Sequence, residues 1–544
     1  MLKYIILLFA YLIPALVFAQ GVAVRDQIEL MLLNEYPERG PGSAVLIAES
    51  GKIVLHNAYG QANIELDVPM DREMVFEIGS ITKQFTAIAI LMLMEQGKLK
   101  LNDPVSEYLV NYPNGDRITI HNLLTHTSGI TRTIRQNPWD ETVRKKDFGP
   151  LEFIDYFKDE PMVSEPGELF AYNNFGYIIL GAIIEKVSGR TYEEFIETGI
   201  FQRLGMKHSY FGKDYELVQK RAYGYEKDKD TFRNATYESS SQAYAAGGLM
   251  STVHDLYLWN IAIHSNRVVS ESSKNLAFTN HELNDGSKIN YGYGWFIDDI
   301  NGSGTYEHAG GVHGFRTNAI CLPKEDVFVV VFTNCSCKDP RNISTEIAAL
   351  LIGRPYAKPS SVFGMDENNV QKWVGKYTFQ DGSSRNVSLI NHQLLWSLPN
   401  GQEIKMIAHS DSVFQLEHTL TKVEFRQRSG NMIAAIVTQR INQRIGTRVY
   451  KPHTEINLPD STLAKYIGKY ILFPDFDLTI TMDGSQLFSQ GTGQTKFEIY
   501  PESQNTFFFK AIDAQIEFVL NDKLECISLD ITQDGKAYSG KKVE

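Results

Sequence analysis

The stretch from Phe76 to Met94 restricts the fold more than any other part of the chain. Gly79-Ser80 suggests a tight entry into a helix, and Phe85, Ile88, Ala89, Ile90, Leu91, Met92, Leu93 and Met94 continue it with apolar side chains on nearly every side. A helix of that kind is buried, so other elements must surround it. Ser80 then sits at its N-terminus, where unpaired amides and the positive end of the helix dipole gather. Lys83 lies one turn later on the same face. A serine so placed can act as an oxyanion-stabilised nucleophile, with the amine holding its proton relay. The Ser-x-x-Lys spacing alone is weak evidence, because Ser539 and Lys542 repeat it in a polar tail. An N-cap serine beside a solvated lysine is the plain structural alternative.

Two further constellations add weight. The turn Glu165-Pro166-Gly167 leads to Tyr172-Asn173-Asn174 and then to an apolar helix from Tyr177 to Ile184. A tyrosine and an asparagine two apart at a helix start can face one cavity. The tyrosine can shuttle a proton if a nearby ammonium lowers its pKa, and the asparagine can hold a substrate amide and the lysine. The third piece is His308-Ala309-Gly310-Gly311, in a strand-like run. Glycines there let a substrate backbone lie alongside, and a free N–H can face an oxyanion. The small residues Ala245 to Thr252 suit close packing beneath a site.

In chain order, residues 22–36 read as an amphipathic helix, and Ser43–Ile47 with Lys52–His56 as a hairpin turning at Glu49-Ser50-Gly51. A mostly helical region runs from Leu101 to about residue 280. Within it, Ile118 to Gly129 starts a short helix and stops at glycine. The polar residues 131–165 are either a solvated insertion or a wall over the site. Strands return at Tyr291–Ile297, Gly304–Thr317, Asn318–Leu322 and Val327–Thr333, followed by a helix from Ile343 to Leu351. Strands at both ends with helices between imply one discontinuous α/β domain.

The last third differs in kind. Pro355–Asn369 and Pro452–Pro459 read as linkers, each followed by a β-rich segment. Trp373-Val374-Gly375-Lys376-Tyr377 matches Tyr466-Ile467-Gly468-Lys469-Tyr470 at an offset of 93 residues, and Val423-Glu424-Phe425 matches Ile516-Glu517-Phe518 at the same offset. A shared offset argues for internal duplication. Each copy predicts a small antiparallel barrel or sheet without a catalytic constellation.

Composition excludes some partners. With a formal net charge of −12 and no basic cluster interleaved with aromatics, nucleic acid and anionic membrane are disfavoured. Lys3, the apolar run Tyr4–Phe18 and Val17-Phe18-Ala19 form a signal peptide over residues 1–19, cleaved before Gln20. That implies export, to a periplasm or beyond, with an uncleaved anchor as the alternative. Cys321, Cys335, Cys337 and Cys526 are too few and scattered for a disulfide framework, and Cys335-Ser336-Cys337 is either redox-active or merely adjacent. No zinc spacing occurs, so no metal is expected.

Ser80-Ile81-Thr82-Lys83, Tyr172-Asn173-Asn174 and His308-Ala309-Gly310 stand in the order and contexts of the serine β-lactamase and penicillin-binding superfamily. Residues from about 25 to 355 resemble its branch of class C β-lactamases, D,D-peptidases, D-stereospecific aminopeptidases and family VIII esterases. Leu123-Leu124-Thr125-His126-Thr127-Ser128-Gly129 and Ala246-Gly247-Gly248-Leu249-Met250-Ser251 are also family-like. The resemblance implies an α/β (α+β) fold: a β-lactamase/transpeptidase-like antiparallel sheet flanked by helices plus a helical subdomain, then two small antiparallel β-barrel-like domains. The expected divisions are 20–355 for the catalytic domain, then 370–452 and 460–544.

It implies an acyl-enzyme at Ser80, Lys83 and Tyr172 sharing the roles of base and proton shuttle in an order left open, and an oxyanion hole from the N–H groups of Ser80 and Gly311. Asn174 orients substrate, His308 supports Tyr172, and Gly310 borders the substrate. Enzymes that bind β-lactams best carry Lys-Thr-Gly where this chain has His308-Ala309-Gly310. A neutral imidazole facing the cleft withholds charge from a substrate carboxylate, for which Arg316 is the substitute. A small-molecule or short-peptide amide or ester is the expected substrate, without cofactor and with cell-wall association open. The competing reading is a peptidoglycan or β-lactam sensor that is acylated but not turned over; Tyr172 favours turnover.

Overall fold

The computed structural model describes residues 24–132, 134, 140–213, 215–229, 231–356, 367–379, 383–398, 401–428, 431–449, 453–533 and 536–543. The targeting segment 1–19 lies outside the described residues. The chain forms two compact units, one ending at Tyr356 and the other comprising the remainder.

In the first unit, helix α1 (residues 24–35) precedes strands β1 (Ser43–Glu49) and β2 (Lys52–Tyr59). Helix α2 (Thr82–Glu95) follows, entered through a 3₁₀ turn over Gly79–Ile81. The helical region includes α3 (Phe175–Ser188) and α4 (Val253–His264). Strands β3 (Phe296–Ile300), β4 (Ser303–Val312), β5 (Phe315–Leu322) and β6 (Val327–Thr333) and helix α5 (Pro340–Leu351) close the unit. The six strands form one antiparallel sheet in the order β3-β4-β5-β6-β1-β2. The two ends of the domain sequence therefore meet at the β6–β1 pair, as the discontinuous reading requires.

Burial follows from composition. β6 is Val-Phe-Val-Val-Val-Phe-Thr and is buried throughout. Phe328, Val330 and Phe332 join the core that contains α2 and α3. Val327, Val329 and Val331 join Ile28 and Leu32 of α1 and Ile343 and Ile347 of α5 on the other face. A central strand covered on both faces needs apolar residues at consecutive positions, not alternating ones. In α2, every residue from Thr82 to Leu93 is buried. Phe85 stacks on Trp259 of α4 with ring centroids 4.2 Å apart, and Gln84 Oε1 accepts the Trp259 indole N–H at 3.0 Å. Each large apolar side chain so buried contributes about 1.5–3 kcal/mol.

Some local expectations are corrected. Tyr291–Ile297 is not one strand. Gly292 N–H donates to the Trp295 carbonyl at 2.8 Å and Tyr293 N–H to Ala277 at 2.9 Å, so these amides close a turn and β3 begins at Phe296. The region 101–280 also carries short strands, among them Tyr225–Asp228, Thr231–Asn234 and Leu249–Ser251. The insertion 131–165 is not merely solvated: its helix Pro150–Phe157 buries Phe153, Ile154 and Phe157, and Phe157 stacks on Phe175 at 4.1 Å. Cys335 and Cys337 are joined by a disulfide.

Asn334, directly after β6, is fully buried. Its Oδ1 accepts the Gly42 N–H at 2.6 Å, and its Nδ2 lies within 2.8–3.2 Å of the carbonyls of Gln61, Ala62 and Tyr223. One side chain thus ties the entry of β1 to two loops.

The second unit contains two closed antiparallel barrels of eight strands each, spanning Gly375–Val449 and Gly468–Lys542. The duplication reaches side-chain detail. Trp373 stacks on Phe425 at 5.2 Å, and Tyr466 stacks on Phe518 at 4.3 Å, both 93 residues later. In each copy a tyrosine four residues on, Tyr377 or Tyr470, donates its hydroxyl at 2.8 Å to the carbonyl of Trp373 or Tyr466. Apolar side chains fill both interiors. Ser539 lies on the final strand, Lys536–Lys542, and not in a tail; Ser539 donates to Asp530. Residues three apart on a strand point to opposite faces, which removes Ser539 and Lys542 as a catalytic pair.

Two outcomes follow. Asn334→Ala strands buried amide and carbonyl groups and should destabilise the first unit by about 3 kcal/mol, since each unsatisfied buried group costs ~1–3 kcal/mol; a calorimetric melt of the first unit unchanged from wild type would contradict this. A chain ending at Tyr356 should melt cooperatively by itself, because both of its cores are complete before that residue. Insoluble or molten protein would show that the barrels are needed for its fold.

Candidate active site

The serine turn is held from two sides. Ile78 N–H donates to the Leu249 carbonyl at 3.0 Å, and Thr317 Oγ1 of β5 donates to the Ile78 carbonyl at 2.9 Å. β4 runs so close that a Cβ on Gly310 would meet the Ile78 oxygen at 1.9 Å. Gly79 adopts φ +51°, and a Cβ there would lie 2.6 Å from the Gly311 nitrogen. These glycines set the contact distance between the strand edge and the serine turn. β3 pairs with β4 only as far as Glu307, which leaves His308–Val312 unpaired on that edge.

Lys83 is fully buried at the start of α2. Its Nζ lies 3.1 Å from Ser80 Oγ, 2.9 Å from Asn174 Oδ1 and 2.8 Å from the Ala246 carbonyl. No carboxylate among the described residues pairs with it, and burial pushes its pKa well below 10.5. The small-residue segment around Ala246 thus does more than pack. Its carbonyls also hold Lys83 and, at 2.6 Å, the Thr86 hydroxyl.

Tyr172 sits on the loop before α3, with Lys83 Nζ 4.9 Å from its ring centroid. Its hydroxyl is buried without a well-aligned hydrogen bond. Burial raises its pKa, and the Ser80 side chain opposes that rise. Ser80, Lys83, Tyr172 and Asn174 are therefore brought together as the motifs suggested.

His308 is placed differently. It is 1 % exposed and lies behind Tyr172, ring centroids 6.0 Å apart, not on the cleft surface. Its Nδ1–H donates to the Ala309 carbonyl at 2.7 Å, and its Nε2 accepts the Tyr291 hydroxyl at 3.1 Å. Burial above all pushes its pKa down to about 3. The expectation that His308 faces the cleft and tunes attraction for a substrate carboxylate is thus overturned, because β4 turns that side chain into the core.

A cavity of about 1070 Å³ is lined by Asn174, Gly311 and Arg316. Arg316 Nη1 donates to the carbonyls of Val312 and Phe315 at 3.0 and 2.9 Å. Ile134 and Phe153 of the insertion contribute to the wall, as does Ser336 between the bonded cysteines. The carboxylates of the cavity are already paired. Glu77 meets Arg221 at 2.7 Å, and His313 sits between Glu226 at 3.0 Å and Glu238 at 3.2 Å. The two glutamates raise the His313 pKa to about 8.

Sequence reasoning does not single out His126, Tyr177, Tyr291 or His313 as functional residues. His126 stands in the Leu123–Gly129 phrase, which was the available signal. Its ring packs 4.2 Å from that of Tyr172 and 4.9 Å from that of Tyr291.

Comparison with known proteins bears on the family and the fold. The chain is 29% identical over 405 residues to Penicillin-binding protein 4* of Bacillus subtilis (strain 168), covering 70% of this chain and 89% of that protein. The octameric penicillin-binding protein homologue from Pyrococcus abyssi superposes with a TM-score of 0.53 at 25% identity, over 95% of this chain and 99% of that one. D-amino acid amidase from Ochrobactrum anthropi SV3 shares the fold, with a TM-score of 0.54 at 22% identity over 61% of this chain and 98% of that one. Residues 452–542 match a domain of unknown function, DUF3471. Residues 32–353, more than half of the chain, match the family described as Beta-lactamase. The chain belongs to the beta-lactamase family.

Proposed function

We propose that this protein is an exported serine hydrolase that forms an acyl-enzyme at Ser80 and hydrolyses an amide or ester. The observation that carries the reading is the environment of Lys83. A neutral amine has two N–H groups and one lone pair. Asn174 Oδ1 and the Ala246 carbonyl take the two N–H groups, which leaves the lone pair for the Ser80 hydroxyl 3.1 Å away. Burial without a counter-charge among the described residues lowers its pKa and so favours the unprotonated amine. The same burial keeps the Tyr172 phenol protonated. Lys83 is then the base that accepts the Ser80 proton; Tyr172 gives its proton to the leaving group and recovers one from the Lys83 ammonium, so that both groups are reset for the attack of water.

The N–H groups of Ser80 and Gly311 receive the oxyanion at the start of α2. Asn174 is placed to orient both Lys83 and substrate. Water completes the cycle by hydrolysing the ester at Ser80. Among the described residues no carboxylate of the cavity stands ready for a substrate ammonium, since Glu77, Glu226 and Glu238 have partners. That disfavours an aminopeptidase and leaves D-peptide amides, esters and β-lactams, the last in keeping with the name of the Bacillus relative. The Tyr172 hydroxyl beside Ser80 supports turnover over a sensor that stops at the acyl stage. Export rests on the N-terminal apolar run.

Ser80→Ala should abolish labelling by a fluorophosphonate or penicillin probe and lower turnover by about a million-fold, the usual scale for losing a nucleophile. Mass spectrometry that places the adduct on another residue, Ser539 included, would sink the assignment.

The pH dependence has a defined sign. Activity requires unprotonated Lys83, so kcat/KM should rise with pH through the lowered pKa of that amine and level off well before 10.5. His308, with its pKa near 3, contributes nothing above about pH 4. The measurement is a kcat/KM profile for a neutral p-nitrophenyl ester. A rate still climbing at pH 10 would mean that the base is a solvated amine or the phenol.

A further inference from the structure

Among the described residues the Tyr172 hydroxyl has no well-aligned hydrogen bond, so its position rests on the packing of its ring and on its backbone. Both amides that flank it are bonded to one residue. Ala171 N–H donates to the His126 carbonyl at 2.9 Å, and Asn173 N–H donates to His126 Nδ1 at 3.3 Å. Between these bonds the two rings lie 4.2 Å apart. His126 is 1 % exposed and adopts φ +56°, a left-handed conformation that only a few per cent of non-glycine residues adopt, histidine more readily than most. That conformation turns carbonyl and side chain toward the same loop.

Accepting from Asn173 requires Nδ1 without a proton. The neutral tautomer therefore carries its proton on Nε2, which is buried and has no hydrogen-bond partner among the described residues. Burial lowers the pKa of the ring well below the usual imidazole value, and Tyr172, Tyr177 and Tyr291 pack around it.

We propose that His126 is the positioning residue for Tyr172 in acyl transfer: its carbonyl and Nδ1 clamp the amides on either side and set where the phenol meets the leaving group. This rests on the hydrolase reading above. Both atoms are buried and taken up by backbone amides, so the clamp acts on kcat and not on binding. A displacement of about 1 Å at such a group typically costs on the order of 100-fold.

Asparagine tolerates the left-handed backbone and offers an Oδ1 in the region of Nδ1, whereas glycine keeps only the backbone. In the full chain with a p-nitrophenyl ester, His126→Asn should keep kcat within about tenfold of wild type. His126→Gly should lower kcat by about 100-fold with KM within about threefold. Thermal melts establish that each variant is folded. Folded His126→Gly with wild-type kcat would overturn the proposal, and so would folded His126→Asn with a loss as large as that of His126→Gly. If His126→Gly is too unstable to assay, His126→Asn decides alone: kcat within tenfold supports the clamp, and a 100-fold loss overturns it. Ser80→Ala, assayed alongside, separates the two readings. Turnover that persists in Ser80→Ala defeats the hydrolase reading, whereas Ser80-dependent turnover unaffected in His126→Gly defeats only the clamp.

Discussion

The buried amine of Lys83 is the interaction around which the first unit is arranged. An ammonium without a counter-ion in a dry interior costs several kcal/mol, and burial accordingly lowers the pKa of this amine. A neutral amine still needs hydrogen-bond partners. They come from positions 91 and 163 residues away, Asn174 and Ala246, with Ser80 one turn before it. Those partners converge only because α2 is apolar all round and is enclosed by α3, α4 and the segment before Leu249–Ser251. Apolar packing and lysine basicity are thus one constraint seen at two levels.

The layer behind the site obeys the same electrostatics. His126 and His308 both face Lys83, and burial keeps both neutral. Their hydrogen bonds define opposite tautomers. His308 carries its proton on Nδ1, because Ala309 accepts there and Tyr291 donates to Nε2. His126 carries its proton on Nε2, because Asn173 donates to Nδ1. Three basic groups can share a small volume only if at most one is charged, and the aromatic surround of Tyr172, Tyr177 and Tyr291 adds to the desolvation that disfavours charge there. Away from this core the charge balance changes: on the cavity wall, His313 between two glutamates is held protonated.

The second unit presents a different problem and a repeated solution. A small closed barrel has no exposed strand edge, and its interior is narrow enough for side chains to fill. Aromatic pairs at matched positions, Trp373 with Phe425 and Tyr466 with Phe518, close the same end of each interior. Backbone also joins the barrels directly, through Leu389 N–H and the Ala511 carbonyl at 2.9 Å.

Much was legible in the sequence because it depends on local pattern. The all-apolar run after Ser80 required a buried helix, the doubly covered strand Val327–Thr333 appeared as an unbroken apolar run, and the 93-residue offset announced two similar barrels. The meeting of Ser80, Lys83, Tyr172 and Asn174 was legible through motif order. Direction of side chains was not. His308 looked like a cleft residue, yet the pleat of β4 turns it inward; a one-residue change of register would have reversed this. His126 looked unremarkable, because its importance lies in a left-handed backbone and in two amides 45 and 47 positions later in the chain. Sequence by itself determined which segments are buried and which residue types gather at the serine, since periodicity and motif chemistry are local. Only the tertiary structure decided which faces those residues present and which of them stay neutral, since desolvation and hydrogen-bond partnership depend on neighbours far away in the chain.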